Sequence, residues 1–263
     1  MQLGLSGKTA LITGASQGIG LACAHTLAAE GCHLHLAARN GAAMAQAKTE
    51  IGGAHGVRVV VHAADLSSAA AMDALAEAAG DADILVNNAG DIPAGPLDVV
   101  TDESIRRGFD LKVFGYIALA RAFYPRMKGR THPDEAVIVN VIGNSGENWD
   151  ASYFAGSTGN AALMAFTKAI GGASLNDGVR VVGVNPGPVA TARMVKIMKR
   201  KAIDMLGDEA RWQELNDRYP GKRPATAEEV ADLVAFLASP RAGYITGTVV
   251  TIDGGISARG SVI

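Results

Sequence analysis

The chain has 263 residues, 48% of them hydrophobic and 19% charged, with a formal net charge of −2 at pH 7. That length and apolar content can bury one sizeable core, which fits a single α/β domain over residues 1–263 better than two small ones. The near-zero charge excludes a global field steering the protein to nucleic acid or an anionic membrane; no apolar run is long enough to cross a bilayer and no leader-like segment opens the chain, so a cytoplasmic protein is expected.

Two cysteines, Cys23 and Cys32, are too few for a disulfide framework and read as small core residues. The stretch Lys8 to Gly20, KTALITGASQGIG, sets the pattern of the whole chain. Ala10, Leu11 and Ile12 read as a strand buried on both faces, and Thr13 to Gly20 as a glycine-rich turn into a helix over Ile19 to Ala29. Such a turn binds phosphate: glycine lets the backbone approach closely, and the helix start presents free N–H groups and the positive end of its dipole. Its spacing, G-x-x-x-G-x-G, is one residue wider than the usual dinucleotide fingerprint.

Gly31 is placed as a C-cap before a second strand, Cys32 to Ala38. His33 and His35 share one face of it, but no further His, Cys or carboxylate cluster joins them, so they read as structural and no metal is expected. The alternation continues with helix Gly41 to Ile51, strand Val57 to His62, helix Ser68 to Ala79 and strand Asp83 to Val86. Then come a long helix from about Asp102 to Met127, strand Ala136 to Val141, a helix from about Tyr153 to Ser174 and strand Val179 to Val184. A capping box at Thr226 to Glu229 starts a helix to about Ala238, and Thr248 to Ile252 makes the last strand. Strand–helix alternation specifies right-handed βαβ units, so the expected fold is α/β: a Rossmann-type, doubly wound, seven-stranded parallel sheet with helices on both faces.

In such a sheet ligands sit beyond the carboxyl ends of the strands. Strand two ends Ala37-Ala38-Arg39-Asn40; an acidic residue there would accept from an adenosine ribose and repel a 2′-phosphate, whereas Arg39 forks onto a phosphate. NADP(H) is favoured, with NAD(H) left open. Asp65-Leu66 follows strand three and is placed against adenine, Asn87-Asn88-Ala89-Gly90 follows strand four, and Asn185 to Thr191 follows strand six.

Taken together, these residues resemble the short-chain dehydrogenase/reductase family over almost the whole chain. Thr13 to Gly20 is similar to the family's TGxxxGxG, Asn87 to Gly90 to its NNAG, Pro186 to Thr191 to its PGxxxT, and Ile252 to Gly255 to its final strand and turn. The resemblance implies a hydride transfer between a nicotinamide and a carbonyl, alcohol or activated alkene of a small molecule. It implies that Gly14, Ser16, Gln17, Gly18, Ile19 and Gly20 hold the pyrophosphate and ribose, that Asn87, Ala89 and Gly90 line the nicotinamide side, and that Pro186, Gly187, Val189 and Thr191 complete it, with Val189 and Thr191 at the carboxamide.

The catalytic pattern departs from the family. Its tyrosine and lysine stand four apart, but Tyr153 is followed four residues later by Ser157; counting back from Pro186-Gly187 puts Gly156 at the tyrosine position and Asn160 at the lysine position. Gly143 falls where a serine is usual, leaving Asn144 or Ser145 to donate, and Lys112 falls where the preceding long helix usually has asparagine. Two readings are open. In the first, Tyr153 is the proton donor one helical turn before Gly156, Lys112 supplies the ammonium that lowers its pKa, and Asn160 binds ribose or a relay water. In the second, the protein binds NADP(H) but serves as a sensor or supporting subunit.

Between Thr191 and Pro224 the resemblance implies a substrate lid. Met194, Val195, Ile197, Met198, Ala202, Met205 and Leu206 give it one apolar face, and Arg193, Lys196, Lys199, Arg200 and Lys201 a basic one, read as solvated; Trp149 and Trp212 are candidates for the pocket wall. A homotetramer, or a homodimer, is expected through the two long helices, where Ala161, Ala162, Ala165 and Ala169 permit close approach.

Overall fold

A computed structural model describes residues 2–258. Seven parallel strands form one sheet: β1 (Thr9–Thr13), β2 (His33–Ala38), β3 (Val59–Ala63), β4 (Ile84–Asn87), β5 (Ala136–Val141), β6 (Val179–Pro186) and β7 (Val249–Ile252). Their order is β3-β2-β1-β4-β5-β6-β7. The chain winds outward from β1 to β3, then returns to place β4 on the other side of β1, so the winding direction reverses between these two strands. That reversal opens a crevice at their carboxyl ends.

Central strands are buried along their whole length and mostly apolar because both of their faces are covered. On one face Ala10, Ile12, Leu34, Leu36, Ile84 and Val86 pack with α1 (Gly18–Ala29), α2 (Gly41–His55) and α8 (Ala227–Ala238). On the other, Leu11, Leu85, Ile138, Val179 and Val181 pack with α3 (Ala69–Ala78) and residues of the long helical segment such as Leu119 and Phe123. Thr226 caps α8 through the reciprocal box expected for it. Among the described residues no helix is long and apolar enough to cross a membrane.

Two features depart from the sequence expectations. The helix expected over Asp102 to Met127 is α4 (Asp102–Phe109) and α5 (Gly115–Met127) joined through a π-helical turn, Asp110–Phe114. One turn of i→i+5 bonding shifts the direction of its side chains relative to a continuous α-helix, and Lys112 lies in the middle of it. The segment expected as a lid is α7 (Ala192–Leu206) followed by 3₁₀ turns over Glu209–Arg218. Met198 and Ala202 are buried against Leu215, with Trp212 and Tyr219 beside them, whereas Ile197 and Met205 of the expected apolar face are exposed.

His33 and His35 are engaged within the sheet. The His33 Nδ1 accepts from the Arg58 backbone N–H at 3.2 Å, and His35 stacks on His62 with Nδ1 and Nε2 2.8 Å apart and its other nitrogen 3.1 Å from Asp81. No group of three or more His, Cys, Asp or Glu able to hold a metal occurs among the described residues. Cys23 and Cys32 are free and buried, and burial pushes both thiols up to about 12.

Candidate active site

The crevice between β1 and β4 has a volume of about 480 Å³. Gly14, Ser16, Gln17, Gly18 and Ile19 form its floor, Arg39 and Leu66 one end, and Ala89, Gly90 and Thr191 the other. Gly14 and Gly18 have φ of +67° and +58°, a backbone that only glycine adopts without strain. The glycine turn is stitched to the β4 loop: Thr13 Oγ1 accepts from the N–H groups of Asn88 and Ala89, and Asn88 Nδ2 donates to Thr13 O at 3.0 Å. At the start of α1 the Gln17 side chain makes no capping bond and the first turn has no acidic residue. The helix's first N–H groups therefore face the crevice uncapped, a cradle for a pyrophosphate. Arg39 is exposed at the rim, where a 2′-phosphate on the ribose would meet it.

Six of the residues expected to touch the cofactor do not line this crevice. A Cβ on Gly20 would lie 2.4 Å from Gly14 O and 2.5 Å from Asn88 Nδ2, so Gly20 serves the close packing of the turn. Asp65 accepts from the N–H and hydroxyl of Ser67, which lowers its pKa. Asn87 is fully buried and donates to Asn140 across the sheet at 3.0 Å, and its neighbour Asn88 lines the crevice instead. Pro186 ends β6, Gly187 packs on Asp253, and Val189 is buried in the core.

Of the catalytic candidates, Lys112, Asn160 and Ser145 are joined by hydrogen bonds, and three glycines make room for the side chains of Tyr153, Asn160 and Lys112. A Cβ on Gly156, the family's tyrosine position, would fall 2.1 Å from Cε1 and Cζ of the Tyr153 ring, so that ring fills the volume a side chain at 156 would enter. On Gly143, at the usual serine position, a Cβ would fall 2.8 Å from Asn160 Nδ2; on Gly90 it would fall 2.9 Å from Lys112 Cδ. Lys112 Nζ donates to Ile142 O at 2.5 Å and to Asn160 Oδ1 at 2.9 Å, and Asn160 Nδ2 donates to Ser145 Oγ at 2.8 Å. The lysine thus fixes which way the Asn160 amide faces, and the amide in turn leaves the Ser145 hydrogen free to point outward. Asn144 is committed elsewhere, donating to Asp253 at 3.2 Å.

The electrostatics differ from the expectation. Lys112 spends its hydrogens on Ile142 and Asn160, and burial, with repulsion from Arg193, pushes its amine down to about 7. Burial raises the Tyr153 phenol above its ordinary value; Arg193 pulls it back down and Asp91 adds to the rise. The cation that lowers the phenol's pKa is thus Arg193, which the sequence groups with a solvated basic face and whose side chain is about half exposed. Its guanidinium lies 3.4 Å from the Asp91 carboxylate and donates to Ile92 O at 3.2 Å, both on the loop after β4. The signal available in the sequence is proximity: Arg193 is two residues from Thr191. Trp149 is 82% exposed, while Trp212 packs against Met198, Ala202 and Leu215 and lines a cavity of about 280 Å³ with Met194, Val195 and Tyr219.

Comparison with known proteins places this geometry. A family model described as enoyl-(acyl carrier protein) reductase matches residues 14–257. The L-sorbose reductase of Gluconobacter frateurii, solved with NADPH and L-sorbose, is 35% identical with a TM-score of 0.91, covering 98% of this chain and 99% of that one. Galactitol 2-dehydrogenase (L-tagatose-forming) of Cereibacter sphaeroides is 33% identical over 253 residues, 95% of each chain. A 3-oxoacyl-[acyl-carrier-protein] reductase of Escherichia coli (strain K12) is 33% identical over 257 residues, 97% of this chain and 99% of that one.

Proposed function

The chain belongs to the short-chain dehydrogenase/reductase family and is an NADP(H)-dependent oxidoreductase, and on that premise we propose that it reduces a carbonyl with a rebuilt proton donor, Tyr153, in place of the family's displaced tyrosine. The observation that carries this reading is the Tyr153 ring standing where the side chain of residue 156 would be. Bound NADP(H) supplies the hydride. Gly14, Ser16, Gln17, Gly18 and Ile19 would hold its pyrophosphate, Arg39 its 2′-phosphate and Thr191 its nicotinamide end. Ser145 donates to the substrate oxygen, Tyr153 gives that oxygen its proton, and Asn160 and Lys112 keep the serine hydroxyl aimed.

Two of the relatives are named for sugars or sugar alcohols, so polyhydroxylated ketones are the first substrate class to assay. We place the protein in the cytoplasm as one domain with a lid over 191–224. We also assign it a homotetramer built through α5 and α6 (Phe154–Ser174), a reading supported by exposed Phe114 and Ile170 and by exposed Ala162, Ala165 and Ala169. Light scattering at micromolar concentration tests the assembly, and a monomer would overturn it.

The activity test is NADPH oxidation across a ketose and ketone panel with Tyr153→Phe and Lys112→Met. Tyr153→Phe is expected to lower turnover by roughly 10² to 10⁴, the range of positioned acid–base groups, and Lys112→Met, which removes only the group orienting Asn160, by less, with NADPH binding retained by calorimetry. Unchanged turnover in Tyr153→Phe would remove the tyrosine from the mechanism.

A further inference from the structure

Ser145 sits on a short 3₁₀ turn, Asn144–Gly146, between β5 and α6. So short a turn has few backbone bonds of its own, and its place is set by what surrounds it. On one side it rests on α6, where a Cβ on Gly146 would fall 2.6 Å from Met164 Sδ and 2.9 Å from the Ala161 nitrogen. On the other side two carboxylates join it to the carboxyl ends of β6 and β7. Asn144 Nδ2 donates to Asp253 Oδ2 at 3.2 Å, just after β7. Glu147, the residue after the turn, accepts through Oε1 from Asn185 Nδ2 at 3.0 Å and from the Thr251 hydroxyl. Asn185 is fully buried on β6, and besides Glu147 its amide nitrogen meets the Met164 thioether at 3.5 Å.

We propose that Glu147 is a positioning residue for Ser145: by accepting from Asn185 and Thr251 at one oxygen, it fixes the serine turn against the strand ends that carry the cofactor loop. The proposal rests on the reading of Ser145 as donor to the substrate oxygen. Such a donor works only within about 3 Å of the place that oxygen takes in the transition state. That place is set by the nicotinamide, and Asn185 stands just before the loop Pro186 to Thr191, whose last residue lines the crevice. One strand, β6, thus locates both the cofactor loop and, through Glu147, the serine turn. Asn160 has a different part: at 2.8 Å from Ser145 Oγ it sets the direction of the hydroxyl rather than the position of the turn. Without Glu147 the Asn185 amide nitrogen would keep only a thioether, a weak acceptor, and the outer side of the turn would be held by Asn144 alone. Glu147 itself is exposed, so its truncation opens no hole in the core.

The test is a double-mutant cycle in NADPH-dependent reduction of a confirmed ketone substrate, with kcat and KM measured for Glu147→Ala, Ser145→Ala, the pair, and Glu147→Gln. Ser145→Ala is expected to lower kcat by roughly 10² to 10³, as loss of a donor to the reacting oxygen does. Glu147→Ala is expected to lower it by roughly tenfold through misplacement of that donor, with the KM for NADPH unmoved. Added to Ser145→Ala, the same change should cost less than about twofold, because residues acting through one another are not additive. Glu147→Gln keeps a carbonyl oxygen for both donors and is expected to recover most of the alanine variant's loss. An equal loss from Glu147→Ala in both backgrounds overturns the proposal while leaving Ser145 as donor, since Glu147 would then serve the fold or the substrate by itself. Wild-type kcat in Glu147→Ala, or a loss in Glu147→Gln as large as in Glu147→Ala, overturns it too. Should Glu147→Ala fail to fold, Thr251→Val removes one of the two donors and runs the same cycle, and an effect indifferent to Ser145 overturns the proposal equally. Full turnover in Ser145→Ala would instead overturn the donor reading, and with it the role of Glu147.

Discussion

Substituting Gly156 by alanine tests the site at its tightest point. The added Cβ would lie 2.1 Å from Cε1 and Cζ of Tyr153, while carbon atoms in contact rest about 3.5–4 Å apart, so the ring must retreat by roughly 1.5 Å. It has somewhere to go: Tyr153 is half-buried and its backbone sits just before α6, so the ring swings outward rather than forcing the helix apart. Alanine is itself the better helix former, by about 0.5–1 kcal/mol over glycine in a helix, so the fold should not suffer. In a chain of this size that amounts to a melting temperature unchanged or higher by about 2 °C. Turnover should fall by at least ~10², because misplacing a reacting group by about 1 Å costs that much. The assays are a thermal melt and NADPH oxidation with a confirmed substrate, run beside Tyr153→Phe. Wild-type kcat in Gly156→Ala would refute the reasoning, since the proton donor could not be a ring that has been pushed away.

Arg39→Asp should reverse cofactor preference in calorimetric titrations, losing roughly 10- to 10²-fold in NADPH affinity as a charge-assisted contact is replaced by a repelling carboxylate; unchanged preference would remove Arg39 from the 2′-phosphate site. Burial lowers the pKa of His35 and His62 below the ordinary histidine value, so the unfolded chain binds protons that the folded chain refuses. Stability should therefore fall as pH drops below about 6.5, level off below the folded pKa values, and fall less in a His62→Gln variant, as read by urea denaturation. The Lys112 amine is held at about 7 against 10.5 when free, again a depressed folded value, so stability should rise with pH between these limits. The rise is on the order of a few kcal/mol and should vanish in Lys112→Met; a pH-independent wild type would show that Lys112 is not desolvated.

The fold was legible because its signals are local and repeated. Runs such as Leu34 to Ala38 and Val137 to Val141 are buried on both faces and apolar but for His35 and Asn140, and a covered parallel sheet explains strands of that kind between helices. The capping residues Asn40, Ser68, Thr101, Thr191 and Thr226 mark helix starts by accepting backbone N–H groups, and α1 lacks such a residue where the crevice needs its donors free. What stayed hidden was the π-helical turn at Asp110–Phe114, because no residue type demands it: a one-residue change of helical register leaves the hydrophobic spacing almost unaltered.

The site was legible in its members more than in its wiring. The resemblance to the family, with residues counted from its motifs, marked Gly156, Asn160, Gly143 and Lys112 as displaced, and at Gly156 and Gly143 the structure gives the exchange a steric logic, the missing side chain being matched by another that enters its space. Tyr153 fills the space of residue 156, Asn160 that of residue 143, and the Lys112 stem lies over Gly90. A substitution at one of these glycines would therefore evict a particular polar group, which is why reintroducing the family's tyrosine at 156 without removing Tyr153 cannot restore the family's usual arrangement. The wiring was hidden because it depends on through-space charge. Lys112 has its nitrogen on a carbonyl and an amide, and the guanidinium that lowers the phenol's pKa comes from a helix that starts at Ala192, far along the chain. A cation's sequence position says which element carries it, whereas its effect on a phenol is set by distance and dielectric once that element has docked.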